Sequence, residues 1–458
     1  MKIAWYTPYS IDSAIGHYSN LVVSALRALG TEVLVVRSEN RTSDIRALPP
    51  TCRDESYAWA ADLDRNPPAQ LADYDLVVYN VGDHYDYHSY CFNHQAQVPG
   101  LTILHDFSLH HALYKYCMSA VPMVAGYREH LVAECGSEAL DTYDRLVSDN
   151  NELQWWHHDM AKHPVYRWAL EATSGVVTHA EFYRERVAAT LGCPTTMIPL
   201  AYDSPLQDNA TAGAAPATAL GTAGKFRIVT IGAVNVNKRH ETVIRALSAS
   251  PLLRERCEFR VVGPIDDSAR ARLQQAQADS PQPIEMTILG RVDRVTLRQE
   301  LEQADIISCL RFPALEGASA SVIEGLLCQK PVIVCDTGCY HEIPDSAVYK
   351  IVLERELPDL IATLEDIVRR PQVAAQKAAH GRYWAAKRHA APEYAQRLLE
   401  FAADVLYNRP VLNTFDRIAD LLRQWDTPVD EVLMSRIDAA GNDLFRQRPS
   451  TTPTRRAA

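Results

Sequence analysis

Short apolar runs alternate with amphipathic segments along most of the chain, and many of the runs end in a polar or glycine-containing loop. This pattern is typical of buried strands in parallel sheets that are connected by helices. The first half contains the predicted strands Lys2–Tyr6, Glu32–Arg37, Asp75–Tyr79, Leu101–Leu104 and Gly175–His179. The second half contains the predicted strands Arg227–Ile231, Phe259–Val262, Glu285–Leu289, Ile306–Leu310 and Val332–Cys335. The pattern therefore predicts an α/β protein with two domains.

The two strand series are separated by residues 209–224, an Ala/Thr/Gly-rich stretch that has the composition of a linker. At 458 residues the chain is also too long for a single hydrophobic core. A helical insertion with many aromatic residues is predicted between the fourth and fifth strands. The predicted segments are residues 1–208 as the first domain with its insertion at about 107–170, residues 225–391 as the second domain, residues 392–446 as C-terminal helices that pack back on the first domain, and residues 447–458 as a disordered tail. Within the C-terminal segment, Tyr394–Leu406 and Val411–Trp425 are predicted as separate helices.

Composition narrows the function classes. Hydrophobic residues make up 47% of the chain, and the formal net charge of −11 argues against a nucleic-acid-binding protein. No run approaches the roughly 20 apolar residues of a membrane span, so any membrane contact would be peripheral.

The cysteines indicate a reducing compartment. All ten are scattered singly, and several lie in apolar runs where a buried thiol is the expected state. Cys335 and Cys339 lie close in sequence, but no second pair completes a zinc site. Because no signal peptide is visible, we expect a cytoplasmic protein, at most at the inner face of the membrane.

Polar residues follow the predicted strands of the first domain. His84, His105 and His179 all lie at or just after a strand end, where open parallel sheets bind ligands. The first βαβ unit lacks the Gly-x-Gly-x-x-Gly dinucleotide fingerprint. Its loop contains Gly16, which is either a plain turn residue or a point of close backbone approach to a ligand.

The stretch from Arg311 to Asp336 combines a strand end, a Pro/Gly loop, a short helix and a second strand. With a helix beginning near Ala318, Glu316 lies before it and Glu324 lies inside it. The first turn then offers free amides and two hydroxyls, Ser319 and Ser321, to an anion. Each glutamate alone could equally be a helix cap or a solvent-facing residue. Together with the preceding strand they favour a ligand site.

Cations follow two other strands of the second domain. Lys238 and Arg239 lie in the loop after the first strand, where a point charge and a planar guanidinium suit a pyrophosphate. Arg291 follows a later strand. A solvated basic turn is the alternative interpretation of the Lys238–Arg239 motif.

The glutamate pair, with seven residues between its members, resembles the Glu-x7-Glu motif of retaining glycosyltransferases of family 4, and the match covers about residues 227–345. The resemblance implies a GT-B fold, in which two Rossmann-like domains face each other across a cleft. It implies roles for eight residues: Glu316 on the transferred sugar, Ser319 and Ser321 at a phosphate-binding helix start, Glu324 on the ribose, Lys238 on the diphosphate, His105 beside the reacting centre, Gly16 near the donor phosphate, and Arg291 near the base. Ala233 stands where the family often has arginine, which leaves open whether Arg239 replaces it.

The resemblance further implies a metal-independent transferase without a cofactor, whose partners are a nucleotide-diphosphate sugar donor and a glycan or lipid-linked acceptor. Its expected role is the synthesis of a bacterial surface polysaccharide or glycoconjugate. Two alternatives remain: an inactive GT-B scaffold that binds a nucleotide sugar or a partner, and a GT-B sugar-nucleotide epimerase.

Overall fold

The computed structural model describes residues 1–40, 44–52, 55–63, 65–120, 124–204, 220–221 and 224–445. Its first domain contains a seven-stranded parallel sheet with the order β3-β2-β1-β4-β5-β6-β7. The strands are β1 (Lys2–Thr7), β2 (Glu32–Arg37), β3 (Tyr57–Trp59), β4 (Leu76–Val81), β5 (Leu101–Leu104), β6 (Gly175–Thr178) and β7 (Thr195–Met197).

The second domain contains a six-stranded parallel sheet with the order β10-β9-β8-β11-β12-β13. Its strands are β8 (Phe226–Ile231), β9 (Cys257–Val262), β10 (Met286–Gly290), β11 (Ile306–Cys309), β12 (Val332–Cys335) and β13 (Tyr349–Ile351). In both domains the central strands are buried throughout, which explains why their sequences are continuous apolar runs.

Helices connect the strands and cover both sheets. The helices of the first domain are α1 (Ala14–Ala28), α2 (Ala60–Leu63), α3 (Pro67–Gln70), α4 (Tyr85–Gln95), α5 (His110–Ala120), α6 (Val124–Cys135), α7 (Ser137–Ser148), α8 (Glu152–His157) and α9 (Glu181–Thr190). From the second domain onward they are α10 (His240–Ala249), α11 (Pro251–Arg256), α12 (Asp267–Ala278), α13 (Arg294–Gln303), α14 (Ala320–Leu327), α15 (Glu356–Arg369), α16 (Pro371–Arg388), α17 (Ala391–Gln424) and α18 (Glu431–Phe445). None of them, over the residues described, has both the length and the apolar character of a membrane span.

The segment between β5 and β6 folds as the four helices α5 to α8. Their side chains form an aromatic cluster of their own, in which Trp155 and Tyr127 are fully buried. The Trp155 indole donates to the Tyr127 hydroxyl at 2.9 Å, so the polar edge of the cluster is satisfied.

The two helices predicted near the C-terminus form one continuous helix, so the predicted boundary between them is wrong. The chain from Ala391 to Gln424 is a single helix with Pro410 inside it, where the sequence pattern predicted two helices with a break before Val411. A proline removes one helical hydrogen bond, and the turns on both sides continue the helix here despite that loss. The chain forms one compact unit over Met1–Leu399, and the rest of α17 together with α18 belongs to a second unit that begins at Glu400.

All ten predicted strands are present, and the three strands missed by the prediction, β3, β7 and β13, are only three residues long. Most of the predicted linker and all of the predicted tail lie outside the described residues, and the domain bounds stay predictions. All ten cysteines are free thiols.

Candidate active site

The loop after β8 holds Lys238 in a buried position. Its side chain folds back so that the ammonium donates to the carbonyl oxygen of Ile231 at 2.8 Å, and the residue is 8% exposed. Gly232 adopts a left-handed conformation beside it, and a Cβ there would lie 2.7 Å from the Lys238 nitrogen. Among the described residues, Lys238 forms no ion pair. The loop therefore presents a buried cation without a carboxylate.

Glu316 lies in the loop after β11 and is tied to two neighbours. Its Oε1 accepts from the Arg311 Nε at 2.8 Å and from the Tyr340 hydroxyl at 2.6 Å. Burial by itself would raise the pKa of Glu316, but the Arg311 charge and the Tyr340 hydrogen bond hold it below its usual value. Backbone amides of the same loop also donate to the carboxylate, and Glu316 is therefore ionised.

Two cations thus lie near one carboxylate. Burial lowers the pKa of Lys238 to about 7, and the positive charge of Arg311 contributes to the shift. The charge state of Lys238 consequently changes near neutral pH, where an ordinary lysine is fully protonated.

The neighbouring helix, α14, begins at Ala320 and not at the expected Ala318. The residue that precedes it, Ser319, has an extended backbone conformation. The Ser319 hydroxyl does not cap the helix, and Ser321 points toward the Lys238 loop, with its hydroxyl 3.4 Å from the carbonyl oxygen of Ile231. Lys238, Ser321 and the first turn of α14 therefore share one small region at the carboxyl end of the second sheet.

The Glu316 loop also pairs with the first domain. The amide of Gly317 donates to the carbonyl of His105 at 2.8 Å, and the amide of Phe107 donates to Leu315 at 3.0 Å. This is an antiparallel bridge between Asp106 and Glu316. A Cβ at Gly317 would lie 2.1 Å from the Tyr183 hydroxyl, so only glycine permits this approach. The bridge brings the predicted first-domain residue His105 next to Glu316.

His105 contributes a buried ring whose two nitrogens are already engaged. Its Nε2 lies 3.0 Å from the Asn80 Oδ1, and its Nδ1 lies 3.2 Å from the Nε2 of His179. The ring of Tyr18 packs edge-on at 4.9 Å between centroids. Burial, with the neighbouring His179, lowers the pKa of His105 well below its usual value. A sugar contact through this ring would replace one of these two protein contacts.

Asp106, the next residue, was not predicted. Its Oδ2 accepts from the amide of Asp83 at 2.9 Å, and the Asp83 carboxylate in turn pairs with His111 at 2.8 Å. Burial raises the pKa of Asp106 to about 7. Two carboxylates with opposite pKa shifts, Asp106 and Glu316, thus come from the two domains to the same bridge.

Glu324 lies elsewhere. It is 1% exposed, and its two oxygens accept from the Tyr202 hydroxyl at 2.8 Å and from the Ser204 hydroxyl at 2.6 Å. These two partners belong to the end of the first domain, so Glu324 connects that segment to α14. A ribose contact would require Tyr202 or Ser204 to release one oxygen.

Three further predicted residues have protein partners in this structure. Arg239 forms a bidentate ion pair with Glu356, through contacts of 2.8 and 2.5 Å. Arg291 is 3.1 Å from Asp12 of the first domain and is largely exposed. Gly16 belongs to the first turn of α1 and not to a loop, because its amide donates to the Ser13 side chain that caps this helix. The donor roles of these residues stay predictions.

Within the ranges that the structure describes, no three His, Cys, Asp or Glu side chains are grouped so that they could hold a metal ion. The polar groups of the region are instead suited to an anion and to hydroxyl groups.

The residues that the prediction missed share one signal. Arg311 follows β11, Tyr340 lies in the turn after β12, and Asp106 lies immediately after His105 at the end of β5. All three occupy the carboxyl ends of strands, the same edge that drew attention to the histidines. The periodicity of the sequence predicts that chemistry lies at the carboxyl ends of the strands, but it does not predict which side chains at these ends lie close together.

Residues 225–369 match the family model described as "Glycosyl transferases group 1", which covers the second domain from β8 to α15. No curated protein sequence matches the chain significantly.

Solved structures align along nearly the whole chain. Alr3699/HepE from Anabaena, crystallised with UDP and glucose, has a TM-score of 0.57 at 15% identity over 88% of this chain and 100% of its own. Sucrose-phosphate synthase from Thermosynechococcus elongatus has a TM-score of 0.57 at 16% identity, over 89% and 99%. A glycosyltransferase from Rickettsia africae has a TM-score of 0.56 at 13% identity, over 89% and 99%. The predicted GT-B fold is confirmed.

Proposed function

We propose that this protein is a retaining glycosyltransferase that moves a sugar from a nucleotide-diphosphate sugar to a hydroxyl group of a glycan or lipid-linked acceptor. The observation that carries the proposal is the buried Lys238 ammonium, which forms no ion pair among the described residues and lies beside the start of α14. A buried cation that forms no ion pair is costly, and an anionic ligand that binds there offsets the cost. The match of the second domain to glycosyltransferases supports a nucleotide sugar as that ligand.

The charges around Lys238 and Glu316 match those that develop during transfer of a sugar. When the bond between the anomeric carbon and the diphosphate breaks, positive charge develops on the sugar and negative charge on the leaving oxygen. Lys238 and the α14 amides stabilise the leaving diphosphate, and the ionised Glu316 lies close to the developing positive charge. The acceptor oxygen then bonds to the same face of the carbon, and its proton passes to the leaving phosphate. This route needs no protein nucleophile and no metal ion.

The donor and the acceptor are proposed only as classes. Alr3699/HepE was crystallised with UDP-glucose, which supports a UDP-sugar as the first donor to try. The glycosyltransferase AviGT4, described as involved in avilamycin A biosynthesis, shares the architecture at a TM-score of 0.51 and 14% identity. A role in bacterial surface polysaccharide or glycoconjugate synthesis, in the cytoplasm or at the inner face of the membrane, completes the proposal.

Two other functions make different predictions. An inactive GT-B scaffold would bind a nucleotide sugar without turning it over, and an epimerase would convert the sugar without an acceptor. The Arg311–Glu316–Tyr340 arrangement favours transfer over the scaffold, because it keeps a buried carboxylate ionised at a cost that passive binding does not require.

The first test is a donor panel. The protein is incubated with UDP-, GDP-, ADP-, CDP- and TDP-sugars, and nucleoside diphosphate release is followed with and without mixed glycan and polyprenyl-phosphate acceptors. We expect release with one nucleotide class and faster release when an acceptor is present. Binding without release for every pair would support the scaffold, and sugar conversion without release would support the epimerase.

The pH dependence of binding is a second prediction. At pH 9 a Lys238 with a pKa of about 7 is neutral, and it must take up a proton to pair with a diphosphate. Affinity for the nucleoside diphosphate should therefore rise as pH falls from 9 to 7, by up to about tenfold per unit, and level off below 7. Above pH 7 the phosphate itself is fully ionised and does not contribute to the slope. Calorimetric titration in two buffers of different ionisation enthalpy measures the proton uptake.

The matched control is Lys238→Arg, whose guanidinium stays charged over this range. In this variant the affinity should be nearly independent of pH between 7 and 9. An unchanged slope in Lys238→Arg would assign the titration to another group, of which Asp106 is the first candidate.

A further inference from the structure

Arg311 lies beside Lys238 because their loops follow neighbouring strands. β8 and β11 are paired at the centre of the second sheet, Lys238 lies in the loop after β8, and Arg311 lies two residues after the end of β11. The Arg311 side chain is 12% exposed, and Glu316, the one carboxylate in the described part of the chain that forms an ion pair with it, is 19% exposed. With Lys238 protonated, one buried and one partly buried cation lie near the partly buried Glu316 carboxylate. A multivalent anion would neutralise the charge of both cations.

The guanidinium of Arg311 is only partly used by the protein. Its Nε donates to Glu316, and among the described residues neither Nη1 nor Nη2 donates to a protein group. These two nitrogens carry four of the five N–H groups, in the planar arrangement that matches two phosphate oxygens. The two loops are in direct contact, because the amide of Phe312 donates to the carbonyl of Asn237 at 2.8 Å, so one diphosphate can reach both Lys238 and Arg311.

Arg239 differs in this respect. It points its Nε and Nη2 at the two oxygens of Glu356, so its charge is already neutralised by a bidentate pair. Recruiting Arg239 to a ligand would leave the Glu356 side chain, itself 10% exposed, without this partner. Arg239 is therefore a poorer candidate than Arg311 for the role of the arginine that the family often has where this chain has Ala233.

We propose that Arg311 is the second diphosphate-binding cation of this site, where it holds Glu316 through Nε and the ligand phosphates through Nη1 and Nη2. The proposal rests on the proposed function, since it assumes a nucleoside diphosphate ligand. One side chain would then join the sugar-contacting carboxylate to the leaving group, so that the two are positioned together.

A purely structural role for Arg311 predicts something different. If the arginine only neutralised Glu316, its removal would weaken an anionic ligand by leaving a bare carboxylate nearby. Replacing Glu316 as well would then restore binding. If Arg311 contacts phosphate, its loss weakens binding whether or not Glu316 is charged.

The experiment is a cycle of four proteins: wild type, Arg311→Met, Glu316→Gln and the double variant. Each is titrated calorimetrically with the nucleoside diphosphate that wild type binds among UDP, GDP, ADP, CDP and TDP, and with the matching nucleoside. Circular dichroism and thermal unfolding establish that each variant is folded. Arg260→Met is the matched control, because Arg260 is also a partly buried arginine that forms a bidentate pair, with Glu300, on β9.

We expect Arg311→Met to weaken the diphosphate at least about tenfold in both the wild-type and the Glu316→Gln background. Nucleoside affinity should stay within about threefold, as should both affinities in Arg260→Met. Restored diphosphate binding in the double variant, or equal losses for diphosphate and nucleoside, would overturn the assignment. So would a larger loss in Arg239→Met than in Arg311→Met. If wild type binds no nucleoside diphosphate at all, the proposed function fails, and this inference fails with it.

Discussion

Glu316→Gln is expected to lower the rate of sugar transfer by about 100- to 1,000-fold while nucleoside diphosphate affinity stays equal or increases. The carboxylate is buried and kept ionised by Arg311, so its charge acts at low effective dielectric on the positive charge that develops at the anomeric carbon. Glutamine keeps the shape and the hydrogen-bonding capacity but not the charge. Removing a negative charge near the phosphates does not weaken the binding of the nucleoside diphosphate. Single-turnover transfer and calorimetric binding of the nucleoside diphosphate separate the two effects.

The matched control for this substitution is Glu342→Gln. Glu342 accepts from the amide of Phe182 at 2.7 Å, so it is also a carboxylate that links the second domain to the first. It forms no hydrogen bond with Arg311 among the described residues. Its replacement should leave the transfer rate within about threefold, since the Phe182 amide can still donate to the glutamine oxygen. Equal losses in both variants would mean that the Glu316 effect comes from domain positioning and not from charge at the reacting carbon.

Lys238→Met has the second large effect and is expected to act in opposite directions on binding and stability. Nucleoside diphosphate affinity should fall about 100-fold, because the charge facing the phosphates is lost. The thermal stability of the ligand-free protein should be unchanged or higher, since methionine fills a similar volume without a buried charge. Differential scanning fluorimetry with and without ligand measures both effects.

The stability gain has a defined pH window. Burial lowers the pKa of Lys238 in the folded protein from its ordinary value of 10.5 to about 7, so the folded state favours the neutral amine. The cost of this burial is fully present below pH 7, where the folded protein must hold the charge, and it disappears above the unfolded pKa. The difference in melting temperature between Lys238→Met and wild type should therefore be largest at pH 6 and smallest at pH 9. A gain that grows with pH would contradict the assigned burial of Lys238.

The α/β architecture could be predicted from the sequence because buried parallel strands appear as apolar runs. The runs ending at Leu104, Leu310 and Cys335 are central strands that are covered on both faces. The edge strands β3 and β13 were missed because, at three residues, they are too short to show a pattern. The helix break predicted next to Pro410 is absent, since one lost hydrogen bond does not end a helix with well-formed turns on both sides.

The site was predictable in part. Strand-end position drew attention to Lys238, Glu316 and His105, and the tertiary structure brings these three to one region through the Asp106–Glu316 bridge. Sequence gave no basis for separating Lys238 from Arg239, which are neighbours in the chain. The structure separates them: one folds back without a carboxylate, and the other reaches Glu356 from α15.

The sequence by itself determined the ten strands of four or more residues, the two-domain α/β fold class and the edge of the sheet at which chemistry is expected. Those properties follow from the local pattern of apolar and polar residues, which can be recognised within each segment alone. Only the tertiary structure decided which charges meet, namely that Arg311 and Tyr340 hold Glu316, and that Tyr202 and Ser204 occupy Glu324. The physical reason is that hydrogen bonds and ion pairs between distant residues depend on three-dimensional distances of a few ångströms, which spacing along the chain does not encode.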